Sequence, residues 1–330
     1  MKPLRIGVIG AGSMGRNHIR ILSAEKGSYE LIGFFDADER RAAEVAQQFG
    51  VQAFPSAEAL FGQVDAVTIA VPSSKHKELA QAAVKHRVHA LVEKPLALTV
   101  SDAETMAAAF ASAGLVLAVG HVERYNPVVT ELCKLLQHER LLALEVRRYS
   151  PYNGRINDAD VVQDLMIHDI DLVCNALLRQ EPVRISTMGE SHVSGRLDFV
   201  QSLLQFAQGT IVSISASRVT ESKVRELVVH TDRSYIVADL LNRTLSVLRN
   251  TNLVIDEGKE SAYRQDSVTQ RIFVPMVEPL RMELMDFIAC IQDGRAPAAD
   301  GRAACCAIGV AETIIRQAET RQSLTAGGTE

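Results

Sequence analysis

The first 120 residues repeat one pattern: a short apolar run, a polar punctuation, then a stretch with apolar positions three and four apart. Leu4 to Gly10, Leu31 to Asp36, Ala66 to Val71, His89 to Glu93 and Leu115 to Val119 read as strands. They are nearly continuous in apolar character, as strands buried on both faces must be. Helical spacing runs from Ser13 to Ala24, Glu39 to Phe49, Lys77 to Lys85 and Ser101 to Ser112, with Gly50 closing the second helix. Ser101 and Glu104 form a capping-box pattern at the start of the fourth. This alternation predicts an α/β domain with a doubly wound parallel sheet over residues 1–122.

Beyond His121 the texture changes, and residues 123–330 read as a second, α+β domain. Pro127 to Gln137 has helical spacing and Leu142 to Tyr149 alternates like a strand. A polar loop, 150–160, leads into an apolar helix over about Val161 to Leu178. Strands are predicted at 184–189, 198–206, 210–217, 225–230, 234–239 and 244–248, and helices at 279–293 and 302–321. No internal repeat or low-complexity tract interrupts them.

Composition narrows the function classes. The 330 residues are 47% hydrophobic and 23% charged, with a net charge of −5. That balance suits a globular chain and disfavours a broad electrostatic grip on nucleic acid or an anionic membrane. The five cysteines are scattered without C-x-x-C spacing, which argues against a disulfide scaffold or zinc site and for a reducing compartment. No apolar run approaches the roughly 20 residues of a membrane span, and no signal-peptide pattern precedes the first strand. The expectation is a soluble, cytoplasmic protein.

Gly10-Ala11-Gly12-Ser13-Met14-Gly15 fits G-x-G-x-x-G between a buried strand and a helix, the context in which the motif binds a dinucleotide. Gly10 permits the tight turn, Gly12 lets backbone amides approach a pyrophosphate, and Gly15 lets helix and strand pack closely. Asp36 ends the second strand, 21 residues after Gly15. A carboxylate there accepts from ribose hydroxyls and repels a 2′-phosphate, favouring NAD over NADP, although Arg40 and Arg41 pull the other way. His18, on the following helix, reads as structural.

Two further elements carry candidate chemistry. Lys94 ends a strand in Glu93-Lys94-Pro95, where open α/β sheets bind ligands; it is either a proton-handling lysine or a surface residue. Asp164, His168, Asp171 and Asn175 fall on one helical stripe of an otherwise apolar segment. Asp164 one turn before His168 suits an acid–base pair, a satisfied core histidine being the alternative. Asp171 is the one further ligand a metal reading would have, so no metal is expected. His121, Glu123, Arg124, Tyr125 and Asn126 form a polar cluster after the last strand of the first domain.

The glycine turn, Glu93-Lys94-Pro95, Gly120-His121…Arg124-Tyr125-Asn126-Pro127 and Asp164-x-x-x-His168 occur in an order that resembles the glucose–fructose oxidoreductase / inositol dehydrogenase (Gfo/Idh/MocA) family. The pattern Asp286-Phe287…Asp293-Gly294…Pro297…Gly301 extends the resemblance to the C-terminal helices. It implies a Rossmann domain followed by an α/β domain with an open, mainly antiparallel sheet that often carries a homo-oligomer contact. It implies NAD(P)-dependent, metal-free oxidation of a secondary hydroxyl of a sugar or cyclitol. Lys94, Asp164 and His168 match the family's catalytic residues, with either His168 or Lys94 as proton acceptor.

By the same resemblance the cofactor would meet Gly10, Gly12, Ser13, Met14, Gly15, Asp36, Val71, Pro72, Ser73, His76, Glu93, Lys94 and Asn126. The substrate would meet Lys94, Arg124, Tyr125, Arg155, Asp164, His168 and Arg218. The run 158–163 (Asp-Ala-Asp-Val-Val-Gln) departs from the glycine-rich family pattern. Residues 160–171 and Ser215-Ala216-Ser217-Arg218…Lys223-Val224-Arg225 look most like the branch that oxidises the 3-hydroxyl of UDP-N-acetylglucosamine for lipopolysaccharide or lipid A synthesis. Arg147, Arg148, Arg155, Arg218 and Arg225 could bind a diphosphate or pair with neighbouring carboxylates. A dehydrogenase of a free sugar or inositol is the alternative, and a non-catalytic NAD-binding sensor is an alternative of another class.

Overall fold

The computed structural model describes residues 2–24, 27–152, 159–255 and 263–326. In the N-terminal part, β1 (Leu4–Ile9), α1 (Ser13–Ala24), β2 (Tyr29–Phe35), α2 (Glu39–Phe49), α3 (Ala57–Phe61), β3 (Ala66–Ile69), α4 (His76–Lys85), β4 (His89–Glu93), α5 (Val100–Ala113) and β5 (Leu117–Gly120) follow one another. The five strands form one parallel sheet in the order β2-β1-β3-β4-β5. The order reverses at β1, so the crevice beyond its carboxyl end, beside β3, is the place where such sheets take ligands.

Two local features differ from the sequence reading. Helix α3 spans five residues, too few to show a period, and is set by Ser56, whose side chain accepts from the Ala59 amide at 3.1 Å. The cap of α5 is Thr99 rather than Ser101: its backbone is extended and its hydroxyl accepts from the Asp102 amide at 3.2 Å. Both residues carry a hydroxyl near the helix start, and the backbone turns helical one residue after Thr99.

In the second part come α6 (Pro127–Leu136), β6 (Leu141–Tyr149), α7 (Ile167–Asp171) and then β7 (Arg184–Glu190), β8 (Phe199–Gln205), β9 (Ile211–Ser217), β10 (Val224–Thr231), β11 (Tyr235–Asp239), β12 (Thr244–Ile255) and β13 (Tyr263–Ile272). They build an eight-stranded sheet in the order β13-β12-β11-β10-β6-β9-β8-β7, antiparallel except for β6 against β9. Strand β13 was not anticipated. Its sequence is mostly polar, and it lies at the sheet edge, paired on one side only with β12, where apolar alternation is not required.

The helix expected over 161–178 is the most informative difference. Helix α7 covers one turn and is flanked by π-helical turns at Val162–Met166 and Leu172–Leu177. Hydrogen bonds from i to i+5 widen these turns, a device that recurs at functional sites. The Asp160 carboxylate starts the segment by accepting from the amides of Val162 (2.8 Å) and Gln163 (2.9 Å). The first π turn packs on β6 and β9.

The chain closes with α8 (Pro279–Asp293) and α9 (Gly301–Ala326). Two compact units result: residues 1–125 with 277–309, and residues 126–276 with 310–330. The division therefore differs from one cut at 122/123, because the chain returns to its first unit. Leu280, Leu284, Phe287 and Ile288 of α8 join the core formed by Ile6, Val8, Ile19, Leu22, Phe34 and Leu91. The Gln292 side-chain amide donates to the Ser28 carbonyl at 2.8 Å, and the Val119 amide donates to the Ala299 carbonyl at 2.8 Å.

Phe287 is 1% exposed, so Phe287→Ala is expected to cost about 3–5 kcal/mol of unfolding free energy. Urea unfolding followed by circular dichroism reads this, and a loss below about 1 kcal/mol would remove α8 from the core.

Candidate active site

Gly10 follows β1 with φ of +91°, and a Cβ there would stand 2.3 Å from the Ala70 carbonyl oxygen. A Cβ on Gly15 would stand 1.8 Å from the carbonyl oxygen of Gly10. Both positions require glycine because backbone fills the space. Gly12 is different: a Cβ there would meet nothing within 4 Å. That open space belongs to a cavity of about 920 Å³ lined by Gly10, Gly12, Ser13, Asp36, Val71 and Pro72 among others. Six residues expected at the cofactor thus line one cavity at the amino end of α1.

Asp36 is 9% exposed and ends at this cavity. Its carboxylate accepts from the amides of Ala11 (2.6 Å) and Asp38 (2.8 Å) and pairs with the Arg41 guanidinium at 3.2 Å. Lys75 and Glu78, which the sequence reading passed over, also line the wall; their position in the loop and helix after β3 was the available signal. An open glycine face, a helix amino end and a carboxylate at the far wall suit a dinucleotide with pyrophosphate and ribose groups. The size suits it too.

The other residues expected at the cofactor, Met14, Gly15, Ser73, His76, Glu93, Lys94 and Asn126, are not among those lining the cavity. His76 is fully buried, with Nδ1 2.9 Å from the Pro95 carbonyl oxygen and Nε2 3.0 Å from that of Val71. Glu93 is 8% exposed and its Oε1 lies 3.1 Å from Nε2 of His18. Lys94 is half-buried, and the Lys94–Pro95 peptide is cis. Asn126 is the N-cap of α6: its Oδ1 accepts from the Val128 amide at 3.1 Å, and its Nδ2 donates to the Leu240 carbonyl at 3.4 Å.

Tyr125 and Arg124 are tied to the returning segment. The Tyr125 hydroxyl donates to Asp286 at 2.7 Å, and burial together with that carboxylate pushes its pKa up. Arg124 donates to the Ala298 carbonyl.

In the second unit Asp164 and His168 are both half-buried on the π–α–π segment, and the Asn175 amide donates to Asp171 at 3.0 Å. Asp169, beside His168, is clamped by Arg148 of β6: Nε to Oδ2 and Nη2 to Oδ1, each 2.8 Å, with side-chain exposures of 2% and 1%. This bidentate pair ties the histidine-bearing turn to the sheet. Arg147 pairs with Glu226.

Arg218, expected at the substrate, is 4% exposed and committed elsewhere. It donates to Asp198 (2.7 Å), the Ala159 carbonyl (3.0 Å) and the Ser194 hydroxyl (2.8 Å). A guanidinium so enclosed braces the 192–198 turn and is not presented to a ligand. Arg155 lies outside the described residues. Three of the five arginines considered for a diphosphate, Arg147, Arg148 and Arg218, are thus paired with carboxylates. Among the described residues no group of three or more His, Cys, Asp or Glu gathers to hold a metal, and no helix is long and apolar enough to cross a membrane.

Residues 4–121 match the family profile described as "Oxidoreductase family, NAD-binding Rossmann fold", and residues 142–237 match the "GFO/IDH/MocA C-terminal domain". The chain belongs to the GFO/IDH/MocA oxidoreductase family. It is 36% identical to UDP-N-acetylglucosamine 3-dehydrogenase of Acidithiobacillus ferrooxidans over 74% of this chain and 76% of that protein. The solved structure of that enzyme superposes with a TM-score of 0.87 at 32% identity, covering 97% and 99% of the two chains. An inositol 2-dehydrogenase of Rhizobium meliloti is 25% identical over 97% and 98%. Levoglucosan dehydrogenase, solved with NADH and levoglucosan, shares the fold at a TM-score of 0.82 and 20% identity, over 97% and 98%. Members of the family named here are dehydrogenases of small molecules, and this chain is an oxidoreductase of that type.

Gly12→Val is expected to change apo stability by less than about 0.5 kcal/mol. It is expected to weaken NADH binding more than roughly tenfold, about 1.4 kcal/mol, as read by calorimetry. Arg218→Ala is expected to cost about 3 kcal/mol, because Asp198 is left buried without its counter-charge. Burial opposes the charge on Asp198, but the Ser194 hydroxyl and the amides of His192, Val193 and Ser194 hold its carboxyl well below the usual range. Its contribution is present above the unfolded value near pH ~4 and is lost as pH falls below it. Asp198→Asn should flatten that limb of an acid-unfolding curve.

Proposed function

We propose that this oxidoreductase uses NAD to oxidise the 3-hydroxyl of UDP-N-acetylglucosamine to the 3-keto sugar. The observation that carries the substrate is the similarity to the Acidithiobacillus enzyme, which extends over nearly the whole of both chains. NAD, when bound, supplies the hydride acceptor. The amides at the start of α1 and the open face of Gly12 would hold its pyrophosphate, and Asp36 would accept from its adenosine ribose. His168 takes the hydroxyl proton, Asp164 steadies the resulting imidazolium, and Lys94 stabilises charge developing on the sugar oxygen; His168 and Lys94 can exchange the acceptor role. Asp36 at the cavity supports a preference for NAD, and Arg41, which neutralises part of its charge, supports residual use of NADP. Exposed Met188, Leu203 and Ile211 on the solvent side of β7–β9 support a homo-oligomer formed through this sheet.

A second reading, oxidation of a free sugar or inositol, is favoured by the commitment of Arg147, Arg148 and Arg218 to carboxylates. A substrate panel followed at the nicotinamide absorbance decides between them. UDP-N-acetylglucosamine should be turned over and UDP should raise the melting temperature in the presence of NAD. Turnover of inositol with no shift by UDP overturns the first reading. Lys94→Ala and His168→Ala should each lower kcat by about 10²–10⁴-fold; unchanged turnover in both removes the catalytic assignment.

A further inference from the structure

Two fully buried histidines stand behind the turn that presents Lys94. His18 of α1 has Nε2 3.1 Å from Oε1 of Glu93 and Nδ1 2.9 Å from Oγ1 of Thr68. His76, the first residue of α4, has Nδ1 2.9 Å from the Pro95 carbonyl oxygen and Nε2 3.0 Å from the Val71 carbonyl oxygen. The residue before Lys94 and the residue after it are therefore each bonded to one buried imidazole. The other nitrogen of each imidazole reaches β3 or the residues just beyond it, where Ala70 and Val71 line the cavity.

The donor and acceptor inventory is specific. An ionised Glu93 only accepts, so His18 donates through Nε2 and receives the Thr68 hydroxyl at Nδ1, which a neutral ring satisfies. His76 faces two carbonyl oxygens, and both contacts are hydrogen bonds together only when both nitrogens carry protons. Burial pushes the His76 pKa down, opposed by those two carbonyls and by the Glu93 charge. Glu93 is also confined from the side of β5, where a Cβ on Gly120 would stand 2.8 Å from its Oε2.

We propose that His18 and His76 are positioning residues for Lys94, fixing the Glu93–Pro95 turn to β3 on one side and to Val71 just beyond it on the other, so that the ammonium keeps a set place relative to the cavity. The proposal rests on the reading of Lys94 as a catalytic residue. Neither histidine is exposed, and their effect on turnover passes through the placement of Lys94. A side chain displaced by about 1 Å can cost on the order of a hundredfold in rate.

The test compares kcat and the KM for NAD across His18→Leu, His18→Gln, His76→Leu, Thr68→Val and Lys94→Ala. His18→Leu and His76→Leu should lower kcat by at least roughly tenfold while the KM for NAD stays within about twofold. A glutamine amide can donate to Glu93 and accept from Thr68 at once, so His18→Gln should keep at least about half of the wild-type kcat. Thr68→Val removes only the far anchor at nearly constant volume and should lower kcat several-fold with the KM for NAD unchanged. If the leucine variants do not fold, His18→Gln and Thr68→Val carry the comparison. Loss of turnover in Lys94→Ala with wild-type kcat in the leucine variants or in Thr68→Val overturns the brace. Retained turnover in Lys94→Ala instead overturns the catalytic role on which it rests.

Discussion

At Gly15 the backbone of α1 lies so close to the Gly10 carbonyl that a methyl group could not be placed between them. This contact lets the helix begin directly against the end of β1, with its unpaired amides facing the cavity. It also fixes what the rest of the helix can reach. Ala11, inside the turn, donates to Asp36, and His18, one turn into α1, arrives beneath Glu93. The start of α1 thus sets two separate polar contacts, one at the glycine turn and one to the residue beside Lys94. A larger residue at 10 or 15 would shift both.

The second unit relies on a different device. Two of its ion pairs, Arg148–Asp169 and Arg218–Asp198, have almost no exposed surface. Burying charges is costly unless hydrogen bonds satisfy them. Here the bonds are bidentate for Asp169, and numerous for Asp198, which also receives three amides and a hydroxyl. The pairs fix local geometry: one orients the turn bearing His168 on the sheet, the other closes the 192–198 turn. They withdraw two of the arginines of this half, Arg148 and Arg218, from the surface.

Much of this was legible from residue order. Buried strands reveal themselves as apolar runs, and the glycine turn and Asp36 both stand on the wall of the cavity. The misses have common physical causes. Strand β13 has too polar a sequence to announce itself, because an edge strand is held by backbone bonds. Thr99 and Ser101 offer equivalent hydroxyls, and local sequence does not say which residue leaves the extended region. The stripe Asp164, His168, Asp171 assumed 3.6 residues per turn, whereas the flanking turns are wider. Arg218 looked like a ligand-binding cation since its partner Asp198 lies 20 residues away in sequence. Long-range pairing of that kind leaves no periodic trace.

The return of residues 277–309 to the first unit has a consequence for biosynthesis. When the ribosome has made residues 1–125, the strands of the parallel sheet exist, but Leu284 and Phe287, which seal the face beneath α1, have not been translated. The whole eight-stranded sheet must emerge in between. The nucleotide-binding unit therefore matures late, and until then a half-covered apolar layer waits on the nascent chain, the sort of surface that chaperones shield.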